Sequence, residues 1–441
     1  MNSREIWMDF LRVTACFLVM TVHATEPFYL GGDGTLVLSA SDAFWVSVFE
    51  GLARCCVPLF VIASGYLQLP LHHSTTEFFR RRAVRIVVPM VFWTLVYALA
   101  WGQPVANLKG LLLNFNYAAG PLWFVYMLLG LYLIMPLLSP WAEKVSRKEL
   151  GIYLGIWALT LCIPFVREAA GGMAPMIYAK DGLPAPALFP LWGEASWNPF
   201  GLFYYVSGFV GYLLLGLYVK RFVPTGRLVR VLGWALFLVG FIVVCFGFLQ
   251  RIVASGPFPV EGSVELAVAW EAAIAFCGLP VALTALGLVL VFRSSFVPED
   301  NALPGAKNRA DASERTLPSG TPEGCTPSEA FARTGSRSDA EEGVHPSGAA
   351  SGFYRHIILP LSTAGYGMYL MHMLVLGNVS AWIRGWLGIG SDGLLGTTWT
   401  TPVEILCTAL VSFIIVGLLA VALRSIPKVG KWIMGTSHYK K

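Results

Sequence analysis

The first residues with chemistry to offer lie in one apolar run, "DFLRVTACFLVMTVHATEP", Asp9 to Pro27. Arg12 and His23 are eleven positions apart in it. At about 100° per residue they fall within roughly 20° of one helix face, about 16 Å apart along the axis. Asp9, three before Arg12, shares nearly that face, and Glu26 follows His23 by three. A guanidinium holds phosphate or carboxylate in a fork, and an imidazole exchanges a proton near neutral pH. A plainer role also fits each residue alone, with Arg12 reaching back to lipid headgroups and His23 ending the helix at the opposite interface. Ionisable groups inside an apolar helix are costly, so the four together point to a site.

Four further stretches carry candidates. In "FFRRRAVRIVVP", Arg82 and Arg85 are three apart on a helix and suit a phosphate, although a run of arginines is also the usual basic anchor of a membrane helix. In "LARCCVPLFVIASGYLQLP", Arg54 lies within an apolar run and needs a partner, with Asp9 and Glu50 conceivable. Ser64-Gly65 in the same stretch reads as close helix packing, because no G-x-S-x-G elbow surrounds it. In "STAGYGMYLMHMLV", Tyr369 stands one turn before His372. A satisfied buried histidine is the plain reading there. In "GPLWFVYMLLGLYLIMP", Trp123 serves an aromatic belt or a substrate platform. No histidine and carboxylate set has metal-ligand spacing, so a bound metal is not expected.

The elements that must position these residues are membrane helices. The chain has 441 residues, 56% hydrophobic and only 13% charged, where a soluble domain carries about a quarter. Its 15 Trp, 16 Tyr and 28 Phe add the load expected at headgroups. The expectation is an all-α polytopic protein of about ten spans, at about 5–25, 42–67, 83–101, 121–140, 150–166, 200–219, 230–249, 267–292, 357–384 and 402–424. With the N-terminus inside, 25 of the 31 Lys and Arg fall in inner segments, 5 in outer ones, and Arg54 within a span. This predicts that both termini are cytoplasmic. The basic residues sort by loop, so no nucleic-acid partner is implied. The first run has no small-residue cleavage site and reads as a helix, not a removable signal. Cys55-Cys56 and the other cysteines show no paired or metal-binding spacing.

Two segments break the pattern. Residues 294–352 are rich in Gly, Pro, Ser, Thr and charge, and are expected to form a disordered cytoplasmic linker. It divides a membrane domain into residues 1–293, with eight helices, and 353–441, with two helices and a basic tail. The stretch 167–199, containing "LPAPALFPLWGEASWNP", is expected to be an outer loop at the membrane surface or a substrate mouth. No internal repeat is visible.

The series "DFLR…H", "VPLFVIASGY", "FFRRRAVRIVVP", "GPLWFVYMLLGLYLIMPLL", "FYYVSGFVGYLLLGLYV" and "AGYGMYLMHMLV" resembles the acyltransferase 3 family of integral membrane O-acyltransferases, in the family's order. Arg12 and His23 match its Arg-x10-His pattern, and Arg82 and Arg85 its Arg-x-x-Arg pattern. With Arg54 retained, the chain is most similar to the subgroup containing the O-acetyltransferase of enterobacterial common antigen. It departs from the family at Gly365-Tyr366, where many members have Ser-Tyr. The resemblance implies about ten helices in a bacterial inner membrane, no bound cofactor, an acyl-CoA donor and a carbohydrate or lipid-linked glycan acceptor.

It also implies roles. Arg82 and Arg85, with Arg12, would hold the donor's phosphates. His23 would act as general base or carry the acyl group briefly. Arg54 would orient the acceptor or the oxyanion, and His372, Tyr369, Glu26 and Trp123 would line the substrate. The rival expectation is a polysaccharide or small-solute transporter using buried Arg and His as coupling groups.

Overall fold

A computed structural model describes residues 5–31, 34–102, 122–169, 200–297, 352–387, 400–427 and 429–435. Among them, nine helical spans are long and apolar enough to cross a membrane. The protein is thus an all-α polytopic membrane protein. The first helix, α1 (Ile6–Thr25), is central, with most of its residues buried. A short 3-10 turn, Glu26–Phe28, ends it at Pro27.

The second span is broken. α2 (Ala40–Ala53) and α3 (Cys56–Gln68) are joined by Arg54 and Cys55. Pro58 explains the break, because it has no N–H to give the Arg54 carbonyl four residues earlier. The third span begins earlier than expected. It comprises α4 (Thr75–Arg82), a π turn (Ala83–Val87) that contains Arg85, and α5 (Val88–Ala100). Single π turns recur at functional sites. Next come α6 (Trp123–Lys144) and α7 (Arg147–Ala169). The expected outer loop lies outside the described residues from 170 to 199.

The sixth expected span, about 200–219, is not a membrane-length helix. It is a 3-10 turn (Gly201–Val206) followed by α8 (Val210–Phe222). Gly201 and Gly208 adopt φ 52° and 75°, which interrupt the helix and which L side chains rarely adopt. The Trp157 indole N–H donates to the Gly208 carbonyl at 2.8 Å and pins the break. α8 buries nearly all of its apolar surface. It packs on α3 so closely that a Cβ on Gly65 would meet the Leu213 carbonyl, and one on Gly216 would meet that of Ile62. Ser64-Gly65 therefore serves close packing, as the sequence predicts.

α9 (Arg227–Ala254) is a full span. The eighth expected span, about 267–292, is divided into α10 (Val264–Glu271), a 3-10 turn (Ala272–Ile274) and α11 (Leu279–Phe296). Gly278 and Pro280 restart the helix there. At the His23 end of the bundle, β1 (Leu30–Gly31), β2 (Gly34–Val37) and β3 (Val260–Ser263) form a small antiparallel sheet in that order. β3 runs directly into α10, so the sheet ties Glu271 to the end of α1.

α11 continues through Phe296, so the first residues of the expected linker are helical. Residues 298–351 lie outside the described residues. The chain returns with a second π turn (Tyr354–Ile358), then α12 (Leu359–Trp386), α13 (Thr400–Ser425) and α14 (Gly430–Met434). α12 and α13 pack against α1. Asp9 is buried and accepts from the Tyr354 hydroxyl at 2.7 Å and the Ser362 hydroxyl at 2.6 Å. Asp9 thus anchors α1 to α12. α14 is held by the Trp93 indole N–H donating to the Ile433 carbonyl at 2.7 Å, and Met434 is fully buried.

Candidate active site

α1 runs between two cavities. At its Arg12 end is a space of about 430 Å³ whose lining includes Arg12, Arg82, Arg85 and Arg424. Among the described residues, no carboxylate lines it. Such a concentration of guanidinium groups is an anion site by its chemistry. Arg82 is stacked between two rings, 5.1 Å from the Phe78 centroid and 4.9 Å from that of Tyr132. One Arg82 terminal nitrogen donates to Gln68, while its Nε is buried with no partner among the described residues. A buried donor left open is costly, and it is available to a ligand oxygen. Arg85 reaches the same cavity from the π turn. Arg424, from the last turn of α13, donates to the Thr363 hydroxyl.

At the other end of α1, a cavity of about 610 Å³ is lined by His23, Glu26, Arg54, Trp123, Glu271 and Phe276, among others. His23 Nδ1 and Glu26 Oε1 are 2.8 Å apart. With Nδ1–H donating to the carboxylate, Nε2 carries the free lone pair. Glu26, which the sequence leaves without a firm role, is thus the partner that sets the tautomer of His23. The His372 ring lies 4.9 Å from the His23 ring, at 35° to it. His372 is fully buried, and its Nδ1 meets the Tyr369 carbonyl. It packs behind His23 and is absent from the lining of both cavities.

Arg54 reaches the same cavity through an ion-pair network. It contacts Glu50 at 3.3 Å and Glu271 at 3.5 Å, donates from Nε to the Ile274 carbonyl at 3.1 Å, and lies 4.8 Å over the Phe276 ring. The Thr25 hydroxyl donates to Glu50 at 2.6 Å, and the Tyr29 hydroxyl donates to Glu271 at 2.9 Å. Of the two partners conceivable from sequence, Glu50 is the one found. Asp9 is not, because it sits near the start of α1 and is engaged by Tyr354 and Ser362. Trp123 borders the cavity with its ring centroid 5.5 Å from that of Phe276.

The structure thus gathers Arg12, Arg82 and Arg85 at one cavity. It gathers His23, Glu26, Arg54 and Trp123 at the other, while Tyr369 borders both. Sequence reasoning missed Glu271 and Arg424. Glu271 carried a signal, as an acid within an expected apolar span. Arg424 carried none beyond being one of several basic residues that end apolar helices. Gly365, the departure from the family's Ser-Tyr, lies in the lining of the arginine cavity, where its carbonyl is 3.8 Å from Cys16 Sγ.

The chain belongs to the acyltransferase 3 family, whose model, described as an acyltransferase domain, matches residues 5–300. It is a membrane acyltransferase. No curated protein and no solved structure matches it significantly. Residues 352–435 lie beyond the family match, yet they supply Arg424 and Tyr369 to the cavities and His372 to the back of His23.

Proposed function

We propose that the protein transfers an acyl group, most simply acetyl, from cytoplasmic acyl-CoA to a hydroxyl of a cell-surface or lipid-linked carbohydrate in a bacterial inner membrane. One observation carries this reading: a single helix, α1, runs from a cavity lined by four guanidinium groups, its own Arg12 among them, to a carboxylate-held histidine at a second cavity. The donor's phosphates would rest on Arg12, Arg82, Arg85 and Arg424. Its long pantetheine arm would extend along α1 to His23.

The chemistry then follows from the His23–Glu26 pair. Nε2 takes the proton of the acceptor hydroxyl as that oxygen bonds to the thioester carbonyl carbon. The Glu26 carboxylate stabilises the imidazolium that forms. The tetrahedral oxyanion collapses, the C–S bond breaks, and the imidazolium returns its proton to the leaving thiolate. The products are an O-acyl ester and free CoA. Arg54, already paired with two carboxylates, has charge to lend the oxyanion only through its cavity-facing side. The family match supports this reading over the transporter. The motifs around Arg54 support an acceptor of the class used by the enterobacterial common antigen O-acetyltransferase subgroup.

The test is donor binding. Acetyl-CoA titrated calorimetrically into purified protein should bind the wild type. The Arg82→Ala/Arg85→Ala double variant loses two charge-assisted contacts of about 1.5 kcal/mol each, which is roughly a 100-fold weaker Kd. Unchanged affinity would refute the phosphate site.

A further inference from the structure

Phe124 and Tyr369 are the only aromatic residues whose side chains border both cavities among the described residues. Their rings meet edge to face, with centroids 5.2 Å apart and planes at 68°. Both are buried, at 6% and 8% exposure. The contact therefore separates the two spaces. Phe124 stands in the first turn of α6, where backbone N–H groups have no acceptor within the helix. Tyr369 also packs on His372, with ring centroids 5.4 Å apart, and His372 packs on His23. The partition is thus in contact, through one ring, with the residue behind the base.

From this we infer that Phe124 and Tyr369 form an aromatic gate between the arginine cavity and the His23 cavity. The inference rests on the acyltransferase reading. A thioester anchored at the arginines reaches His23 only by displacing this ring pair. An edge-to-face contact is weak compared with the anchoring of a polyphosphate, so a bound donor can open it. Until it opens, the rings keep water in the His23 cavity away from the thioester. The gate therefore protects the donor from hydrolysis, and Phe124 positions the arm without touching the reacting atoms.

The experiment uses full-length protein in lipid nanodiscs with acetyl-CoA as the probe. Free thiol release is followed without acceptor. Acetyl transfer is followed in native membranes that contain the acceptor. Phe124→Ala opens the partition, and hydrolysis without acceptor should rise about tenfold. Phe124→Leu keeps apolar packing while losing the ring, and should move hydrolysis the same way by a smaller factor. Phe124→Trp overfills the gap, and transfer should fall at least about tenfold. In all three, acetyl-CoA affinity should stay within about threefold, because the arginines are untouched. Phe124→Leu keeps the test open if the alanine variant does not fold. If the wild type transfers acetyl groups and all three variants hydrolyse and transfer as it does, the gate is overturned and the acyltransferase reading stands. If the wild type neither binds nor consumes acetyl-CoA, the acyltransferase reading falls and the gate falls with it.

Discussion

Glu26→Gln changes one charge in the His23 cavity and little else. The amide oxygen can still accept from His23 Nδ1, so the ring stays in place. What is lost is the negative charge beside an imidazolium that forms during the reaction. The two side chains are 2.8 Å apart at their nearest atoms and are 14% and 30% exposed for His23 and Glu26. Taking about 4 Å between charge centres, an effective dielectric of about 20 gives roughly 4 kcal/mol. Partial exposure calls for a dielectric nearer 40, which gives roughly 2 kcal/mol. Charge-assisted hydrogen bonds contribute about 1.5–3 kcal/mol, so the two routes agree on about 2 kcal/mol. At 1.36 kcal/mol per decade, this is roughly a 30-fold fall in the rate of transfer. The assay is acceptor-dependent release of CoA thiol from acetyl-CoA in membranes containing the variant, with donor affinity measured in parallel. The fall should appear in kcat with acetyl-CoA affinity unchanged. A Glu26→Gln enzyme within twofold of wild type would mean that the carboxylate does not serve the histidine, and the dyad would be wrong.

Three other outcomes are expected. Arg54→Leu leaves Glu50 buried without its guanidinium partner, and should cost about 3–5 kcal/mol of stability, seen as a lower thermal midpoint in detergent. Arg54→Leu/Glu50→Leu should recover much of that midpoint without recovering transfer. Gly65→Ala sets a methyl against the Leu213 carbonyl and should destabilise the α3–α8 contact by about 1–3 kcal/mol, with a smaller yield of folded protein by size exclusion. Arg424→Ala should weaken acetyl-CoA binding about tenfold by calorimetry, from one charge-assisted contact of about 1.5 kcal/mol. It tests whether the chain beyond residue 300 contributes to the donor site.

What was legible in the sequence follows from what local periodicity can carry. The shared face of Arg12 and His23 is a property of one helix, so counting residues was enough to put them at its two ends. Arg82 and Arg85 share a cavity for the same reason, although the π turn that contains Arg85 could not be read from sequence. Arg54 and Glu50 are four apart, and the need to neutralise a buried guanidinium pointed to the pair. Asp9 was plausible by charge alone, but it is held by Tyr354 and Ser362, which are 345 and 353 residues away in the chain. Glu271, Arg424 and the Phe124–Tyr369 contact are tertiary. Each joins segments far apart in the chain, and no spacing encodes such a meeting. The sixth span is shorter than its composition suggests, because composition does not show backbone sign. Gly201 and Gly208 at positive φ shorten α8, and burial between neighbours removes the need for it to match the bilayer's thickness.

The central claim is that His23 takes the acceptor's proton while the donor is held at the arginines. Its most direct test is transfer of radiolabelled acetyl from acetyl-CoA to lipid-extractable glycan in membranes carrying wild-type protein or His23→Ala. The account predicts labelled glycan with the wild type, a loss of at least about 100-fold with His23→Ala, and acetyl-CoA binding intact in both. Full labelling by His23→Ala would contradict it.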